Sequence, residues 1–511
     1  MSQWDGEELT LPEVACAESA ESHASFALTI LYHPDSTRLG ERAVLPGLVD
    51  GGCAELGRTV PVFGAPGGSA RGLALGDPYL SRMPLEITVA DGVLQLRVAA
   101  GSSSITVDGA AVCGRCEIAL NSARAGVVLT LSHRVVLLLH SVAPSPPATN
   151  DCGMVGENSA LQQARFLAQR VALSTEPVLL LGESGTGKEL LAAAIHGHSS
   201  RAGKPLVTIN MGAVPPDLAA AELFGVRRGA FTGADADRQG FFALAEGGTL
   251  FLDEVGACAR DVQSQLLRAI QQGEIQSPGG GLRRVDVRVV AATDADIASA
   301  DSFSKALRYR LGGFEIQLPA LRERREDLGL LLAHFLPAGF LPGDSAAAGD
   351  VAGWAMLIQQ MALYSWPGNV RELRNFCQQL VIAGDYRAAP TVPANVSEAL
   401  QADRRQRQQL SAESSQPGVR ELSDRNIEEA MQASRWEISR AARALGISRQ
   451  ALYRRLQSIP QLRVVADIPS TEIETMYHAC EGELEQAALQ MQVSLAALRR
   501  RWRALDLMPR V

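Results

Sequence analysis

Cysteine is scarce in this sequence. Eight cysteines among 511 residues are too few for a disulfide framework, and they are scattered: Cys16, Cys53, Cys113, Cys116, Cys152, Cys258, Cys377 and Cys480. Only Cys113-Gly114-Arg115-Cys116 has ligand-like spacing. A structural zinc site needs four ligands and no second pair follows, so this stretch reads as a turn. Long apolar runs are missing as well. None reaches the roughly 18 residues of a membrane span, and the nearest, Gly329–Leu341, holds His334 and Pro337. Met1–Glu13 is acidic and lacks the basic region and apolar block of a signal peptide. These absences predict a cytoplasmic protein with no membrane partner. Positive charge is not in excess: the net charge is -8. That does not exclude nucleic acid, because binding depends on where the basic residues sit. With 46% hydrophobic and 20% charged residues, the chain has the balance of folded proteins and room for roughly three or four domains.

Two composition breaks divide it. Residues 143–150 are proline-rich, and proline continues neither a helix nor a central strand. Residues 388–420 contain Pro390, Pro393 and Pro417 and the polar run Gln401–Gln416, which reads as a tether. Before the first break, short apolar runs (Phe26–Leu31, Leu85–Val89, Val93–Val98, Ile105–Val107, Val127–Leu131, Val135–Leu139) alternate with turn signals such as Asp91-Gly92 and Asp108-Gly109. That spacing predicts a β-sandwich over residues 1–142. Between the breaks, over residues 151–387, the apolar segments Pro177–Leu181, Leu250–Leu252 and Val285–Ala291 alternate with helical stretches, which predicts a parallel sheet with helices on both faces.

Gly182-Glu183-Ser184-Gly185-Thr186-Gly187-Lys188-Glu189 follows the apolar run Val178–Leu181 and opens a helical stretch. This is the context of a P-loop: backbone N–H groups surround phosphate oxygens, the helix N-terminus adds positive charge, and Lys188 reaches the β- and γ-phosphates. Glu189 stands where Ser or Thr often binds magnesium. Gly248-Thr249-Leu250-Phe251-Leu252-Asp253-Glu254 is an apolar strand ending in two carboxylates, a Walker B arrangement. Asp253 is placed to hold Mg2+ and Glu254 to polarise the attacking water. The expected ligands are ATP and Mg2+.

From Met154 to about Ile382 the sequence resembles the AAA+ domain of bacterial enhancer-binding proteins, the activators of sigma-54 RNA polymerase. Glu222-Leu223-Phe224-Gly225, followed by Gly229-Ala230-Phe231-Thr232-Gly233-Ala234, carries the resemblance most specifically. It implies a mobile loop that touches sigma-54 through Phe231, Thr232 and Gly233. The resemblance further implies that Asn210 restrains the Walker B glutamate, that Thr293 lies at sensor I, and that Arg371, in Trp366-Pro367-Gly368-Asn369-Val370-Arg371, reaches the nucleotide at sensor II, on a helical lid. Two positions depart from the family pattern. Asp294 stands where Asn is usual. The finger segment, normally Phe-Arg-x-Asp-Leu-x-x-Arg-Leu, reads Phe303-Ser304-Lys305-Ala306-Leu307-Arg308-Tyr309-Arg310-Leu311. Arg310 matches the second finger and Ser304 replaces the first, while Lys305 and Arg308 are out of register. Fingers act across subunits in this family, which implies a homo-oligomer, from dimer to hexameric ring.

Residues 421–460 contain Ile438–Leu456, a helix-turn-helix pattern. Ala441, Ala442 and Leu445 pack at helical spacing, Gly446 permits the turn and Ser448 can cap the second helix. On that helix Ser448, Arg449, Gln450, Tyr453, Arg454 and Arg455 can reach phosphates and base edges of enhancer DNA. The segment resembles the Fis-type domain. Ile427–Leu456 and Ile473–Trp502 align without a gap, so residues 470–511 read as a duplicated unit. The second copy carries Arg499, Arg500 and Arg501, as a second DNA-binding unit or a dimerising helix pair.

The first domain resembles a forkhead-associated (FHA) domain in Gly57-Arg58, Ser81-Arg82 and Val107-Asp108-Gly109. The resemblance implies that Arg58 and Ser81, beside Arg82, bind phosphothreonine on a partner protein or kinase by charge-assisted hydrogen bonds; the alternative is a degenerate regulatory domain that only contacts the ATPase. Pro84 and Asp108 stand where His and Asn are usual. The sequence thus predicts a multidomain transcription activator: β-sandwich, α/β ATPase with helical lid, and all-α helix-turn-helix end. Its rivals are a DNA-binding regulator with decayed ATPase and a phosphothreonine reader that uses the ring only for assembly.

Overall fold

The computed structural model describes residues 25–48, 51–65, 72–143, 151–230, 236–294, 303–341, 348–383 and 397–402, single positions such as Ile297, and in the remainder chiefly 470–480 and 484–491. It divides into two units, 1–400 and 401–511.

Strands β1 (Ser25–Tyr32), β2 (Arg42–Leu45), β3 (Cys53–Leu56), β4 (Leu85–Ala90), β5 (Val93–Arg97), β6 (Ile105–Val107), β7 (Ala110–Val112), β8 (Arg115–Ala119), β9 (Val127–Leu131) and β10 (Val135–Val142) form a sandwich, with helix α1 (Leu120–Ala125) before β9. One sheet has the order β2-β1-β10-β9-β6-β7 and the other β3-β4-β5-β8. Cys113 and Gly114 form the turn between β7 and β8, as expected, with Gly114 at φ 79°. Strand β4 alternates buried and partly exposed residues, as a sheet covered on one face does. Strands β9 and β10 do not: all of β9 and the first six residues of β10 are buried. Leu28, Ile30, Leu129, Leu137 and Leu139 fill the sandwich core, while Leu31, Val128, Val136 and Leu138 belong to a second core outside it.

That second core is the lid's. Helices α2 (Ser159–Ala172), α3 (Lys188–Gly197), α4 (Pro216–Phe224), α5 (Phe241–Leu244), α6 (Arg260–Gln272) and α7 (Lys305–Leu311) surround a parallel sheet of β11 (Val178–Leu181), β12 (Leu206–Asn210), β13 (Thr249–Asp253), β16 (Arg288–Thr293) and β17 (Phe314–Gln317). Its order is β12-β13-β16-β11-β17. A small hairpin, β14 (Glu274–Gln276) with β15 (Leu282–Arg284), stands apart. Val285 continues that hairpin instead of opening a sheet strand: its N–H bonds Gly273 O at 2.8 Å. Alternate residues of β11 serve opposite faces, Leu179 one core and Val178 and Leu180 the other, which explains the unbroken apolar run. The lid follows as α8 (Leu328–Phe335), α9 (Ala348–Leu363) and α10 (Asn369–Ala383). Its Leu328, Leu332, Trp354, Ile358 and Met361 pack with Leu31, Val136 and Leu138 of the sandwich in one core.

In the second unit, α11 (Ser470–Ala479) and α12 (Leu484–Gln490) share a small core of Ile473, Cys480, Ala487, Ala488, Leu498 and Trp502. The ring centroids of Tyr477 and Trp502 lie 4.2 Å apart. Among the described residues no helix is long and apolar enough to cross a membrane.

Candidate nucleotide-binding site

The site forms where β11 ends. Its neighbours β16 and β17 lie on opposite sides, and such a switch point opens a crevice at the carboxyl ends of the strands. Gly187 adopts φ 108°, a conformation in which only glycine is unstrained, and Lys188 begins α3. Lys188 Nζ donates to Gly182 O at 2.6 Å and Glu183 O at 3.1 Å. Burial lowers its pKa, opposed by Asp253, Asp294 and Glu254. Thr186 Oγ1 donates to Glu183 O.

The carboxylates come from β13. Burial raises the Asp253 pKa, against a bond from Glu254 N–H and the charge of Lys188. Asn210 ends β12, and parallel register sets it beside Asp253. Its Nδ2 accordingly donates to Asp253 Oδ2 at 3.4 Å. The sequence pairing was with Glu254. Glu254 instead takes a left-handed backbone, φ 53°, and its carboxylate lies over Gly212. Thr293 is buried at the end of β16, and its carbonyl accepts from Gly182 N–H.

A cavity of 590 Å³ joins these groups. Gly185, Thr186, Gly187 and Lys188 line it with Asp253, Glu254 and Asp294 on one side. Met154, Val155, Leu331, Phe335 and Val370 give it an apolar end. An anion cradle, carboxylates and an apolar recess thus share one space, which suits the three parts of a metal-bound nucleoside triphosphate. Among the described residues no group of three His, Cys, Asp or Glu forms a metal cage. A magnesium ion fits this donor set only as such ions usually bind, through one or two carboxylates and the substrate's phosphates. The half-buried Asp253, at the end of β13, is the suited ligand.

The lid closes the cavity with residues that the motif reading passed over. Asn369 is fully buried; its Nδ2 donates to Glu183 Oε2 (3.1 Å) and Ser184 O (3.0 Å), and its Oδ1 accepts from Leu321 N. Arg322 Nη1 donates to Glu183 Oε2 at 2.8 Å. These bonds, Arg322 first, hold the Glu183 pKa down at about 2. Arg324, 2% exposed, lines the cavity and reaches Thr186 O at 3.5 Å. The signal for Asn369 was its place inside Trp366–Arg371; that for Arg324 was a cluster of charge, Arg322–Asp327, ahead of an apolar helix. Arg371 Nη1 donates to Ser184 Oγ at 3.0 Å and Nη2 lies 4.0 Å from Glu189.

Ser304 sits where an arginine finger was expected and serves as the N-cap of α7, accepting from Leu307 N–H, while Gln263 accepts from Ser304 N–H. Arg310 lies in the last turn of that helix. Gly229 and Ala230 are described; Phe231, Thr232 and Gly233 fall outside the described residues, as do Ser448, Arg449, Gln450, Tyr453, Arg454, Arg455 and Arg500. Arg499 is exposed and Arg501 half-buried. At the sandwich end, Arg58 N–H bonds Ser81 O at 3.2 Å, so the two loops meet. Ser81 Oγ donates to Gly101 O at 2.6 Å, and Arg82 is exposed.

Three family models match the chain: the Sigma-54 interaction domain over residues 154–317, the AAA+ ATPase lid domain over 322–413 and the Bacterial regulatory protein, Fis family, over 418–458. The transcriptional regulatory protein ZraR of Escherichia coli (strain K12) is 41% identical over 325 residues, 62% of this chain and 71% of that protein. The DNA-binding transcriptional regulator NtrC of Salmonella typhimurium is 42% identical over 257 residues, 48% of this chain and 53% of that one. The crystal structure of NtrX from Brucella abortus in complex with ADP is 30% identical, covering 60% of this chain and 69% of its own, with a TM-score of 0.41. On its matched domains and on its likeness to ZraR, the chain belongs to the sigma-54-dependent transcriptional activators, with an AAA+ domain, its lid and a Fis-type DNA-binding helix-turn-helix.

Proposed function

We propose that the chain binds ATP with Mg2+ in the 590 Å³ cavity and hydrolyses it to remodel sigma-54 RNA polymerase at promoters served by distant enhancer DNA. The observation that carries this is the meeting of Lys188, Asp253 and Glu254 with an apolar recess in one cavity. The P-loop amides of residues 182–189 hold the phosphates and Lys188 neutralises them. Asp253 would hold Mg2+ together with the phosphates, and the ion would supply charge that offsets the transferring phosphoryl group. Glu254 orients the attacking water and accepts its proton. Arg310 of one subunit completes the site of the next, so the active form is a homo-oligomeric ring, a hexamer in this reading. Phe231, Thr232 and Gly233 carry the motion to sigma-54. Ser448, Arg449, Gln450, Tyr453, Arg454 and Arg455, and in the second copy Arg499, Arg500 and Arg501, hold the enhancer. At the sandwich, Arg58 and Ser81 with Arg82 receive a phosphothreonine, making this domain the FHA-like signal input.

Phosphate release from ATP by the purified chain tests the enzymatic core. Turnover that disappears in Asp253→Asn supports it; turnover that survives that change, or none in the unaltered protein, removes it. The role of Ser304 as a helix cap favours a second reading, a DNA-binding regulator with slow hydrolysis. A Ser304→Arg variant much faster than the unaltered chain would support that reading.

A further inference from the structure

The sandwich is joined to the ATPase more closely than a module on a linker. The outward-facing side chains of β1, β9 and β10, among them Leu31, Val128 and Leu138, are buried in the lid's core. Backbones meet there too. A Cβ at Gly329 would stand 2.9 Å from Ile30 O, and a side chain at Gly40 would run into Leu330. Polar bonds mark both edges of the contact. Arg325 Nη2 donates to Ala125 O at 2.9 Å and Gly126 O at 2.6 Å. Gln359 Nε2 donates to Thr106 Oγ1 at 2.7 Å and Thr130 Oγ1 at 2.8 Å.

Arg325 belongs to a short stretch that bonds in three directions. Arg322, three residues earlier, holds Glu183 in the P-loop, and Arg324 reaches Thr186 O. Asp327, two residues later, accepts from the N–H groups of Glu157 (2.6 Å) and Asn158 (3.1 Å), just beyond Val155 in the apolar recess. A shift of this stretch therefore moves the phosphate cradle and the recess together. Interfaces packed at this density shift between discrete arrangements and do not deform continuously.

We propose that the sandwich is a clamp on the ATPase lid, and that Arg325 is the positioning residue through which the docked sandwich holds the cavity in its ATP-binding form. Displacing the sandwich loosens the lid stretch from the P-loop and lowers ATP affinity. The inference rests on the cavity being the ATP site, and it assigns that site a regulator built from the sheet face of β1, β9 and β10.

The test titrates a fluorescent ATP analogue into the full-length chain. Arg325→Ala is expected to raise its Kd at least fivefold, and Gln359→Leu, remote from the cavity, to shift it in the same direction. Arg325→Lys, which still donates to the carbonyls, is expected to stay within twofold of the unaltered protein. In steady-state hydrolysis the change should fall on KM and leave kcat nearly unmoved. The proposal is overturned if Arg325→Ala and Gln359→Leu both bind within twofold of the unaltered chain. It is equally overturned if they only lower thermal stability with Kd unchanged. If Arg325→Ala does not fold, Gln359→Leu decides alone. Failure of the unaltered chain to bind the analogue would instead remove the ATP reading itself, and that is visible in the first titration.

Discussion

Asn369 Nδ2 donates to Glu183 Oε2 at 3.1 Å, which ties the first residue of lid helix α10 to the P-loop across 186 positions of sequence. The same asparagine is fully buried, holds φ 52° and bonds Leu321 N and Ser184 O. A left-handed non-glycine residue with all its partners inside a site is held there by its surroundings. This contact is where lid position and phosphate cradle are coupled.

Removing it should loosen ATP. Asn369→Ala leaves the buried Leu321 N–H without its acceptor and removes the bonds to Glu183 and Ser184, which costs about 1–3 kcal/mol, so a Kd increase of roughly 5- to 150-fold is expected by titration. The coupling also has an acid limit. The Glu183 pKa is depressed to about 2 against an ordinary 4.5. Its contribution is therefore complete above pH 4.5 and is lost as pH falls from there towards 2. Glu183→Gln should weaken binding at neutral pH and remove that acid dependence.

Glu254→Gln should separate binding from chemistry. The amide keeps the shape of the side chain and cannot accept the proton of the attacking water. General-base assistance is worth about 10²- to 10⁴-fold, so kcat should fall by about that factor while the ATP-analogue Kd stays near the unaltered value. Lys188→Ala should abolish binding in the same assay.

Arg310→Ala should reduce kcat by about 10³-fold or more, as the loss of an arginine finger does, with ATP binding by each subunit preserved. Ser304→Ala should not affect chemistry. It removes the cap on α7 and should cost about 0.5–2 kcal/mol of stability, read by denaturant unfolding.

Leu332 and Leu138 lie on opposite sides of the contact between lid and sandwich, each 1% exposed. Leu→Ala at either position should cost about 2–5 kcal/mol. Because they share one core, either change should lower the melting of sandwich and ATPase together, in one transition followed by both calorimetry and proteolysis.

Burial pushes the Asp327 carboxyl up to about 7, with Glu326 adding to the shift. An acid with a raised folded pKa is protonated in the folded state and ionised in the unfolded chain over the interval between the two values. Its contribution to stability therefore falls as pH rises from about 3.8 to 7. In Asp327→Asn this pH slope should flatten, as read from unfolding midpoints between pH 5 and 8.

Much of this architecture was legible in the residues. Phe26–Leu31 lies within Ser25–Tyr32, Leu85–Val89 within Leu85–Ala90, and Ile105–Val107 and Val127–Leu131 fall on strands of the same limits, because their apolar runs are cut by turn residues. The P-loop and the paired carboxylates were legible because phosphate binding fixes both residue type and spacing. The short strands Arg42–Leu45 and Arg115–Ala119 were not, since charge at their ends hides the alternation. The docking of sandwich on lid was written in Val135–Leu139, a run too uniformly apolar for a sheet with one wet face. Only the structure names the partner, because continuous burial does not say what covers it. Asn369 and Arg324 act through long-range bonds that no local pattern encodes.

The central claim is that ATP hydrolysis in this cavity drives sigma-54 polymerase to open a promoter. The most direct measurement is open-complex formation on supercoiled promoter DNA, with purified full-length protein, sigma-54 polymerase and ATP, beside Asp253→Asn and Thr232→Ala. The account predicts opening by the unaltered chain and none by either variant. Opening that persists in both variants, or no opening by a chain that binds both ATP and the enhancer, would contradict it.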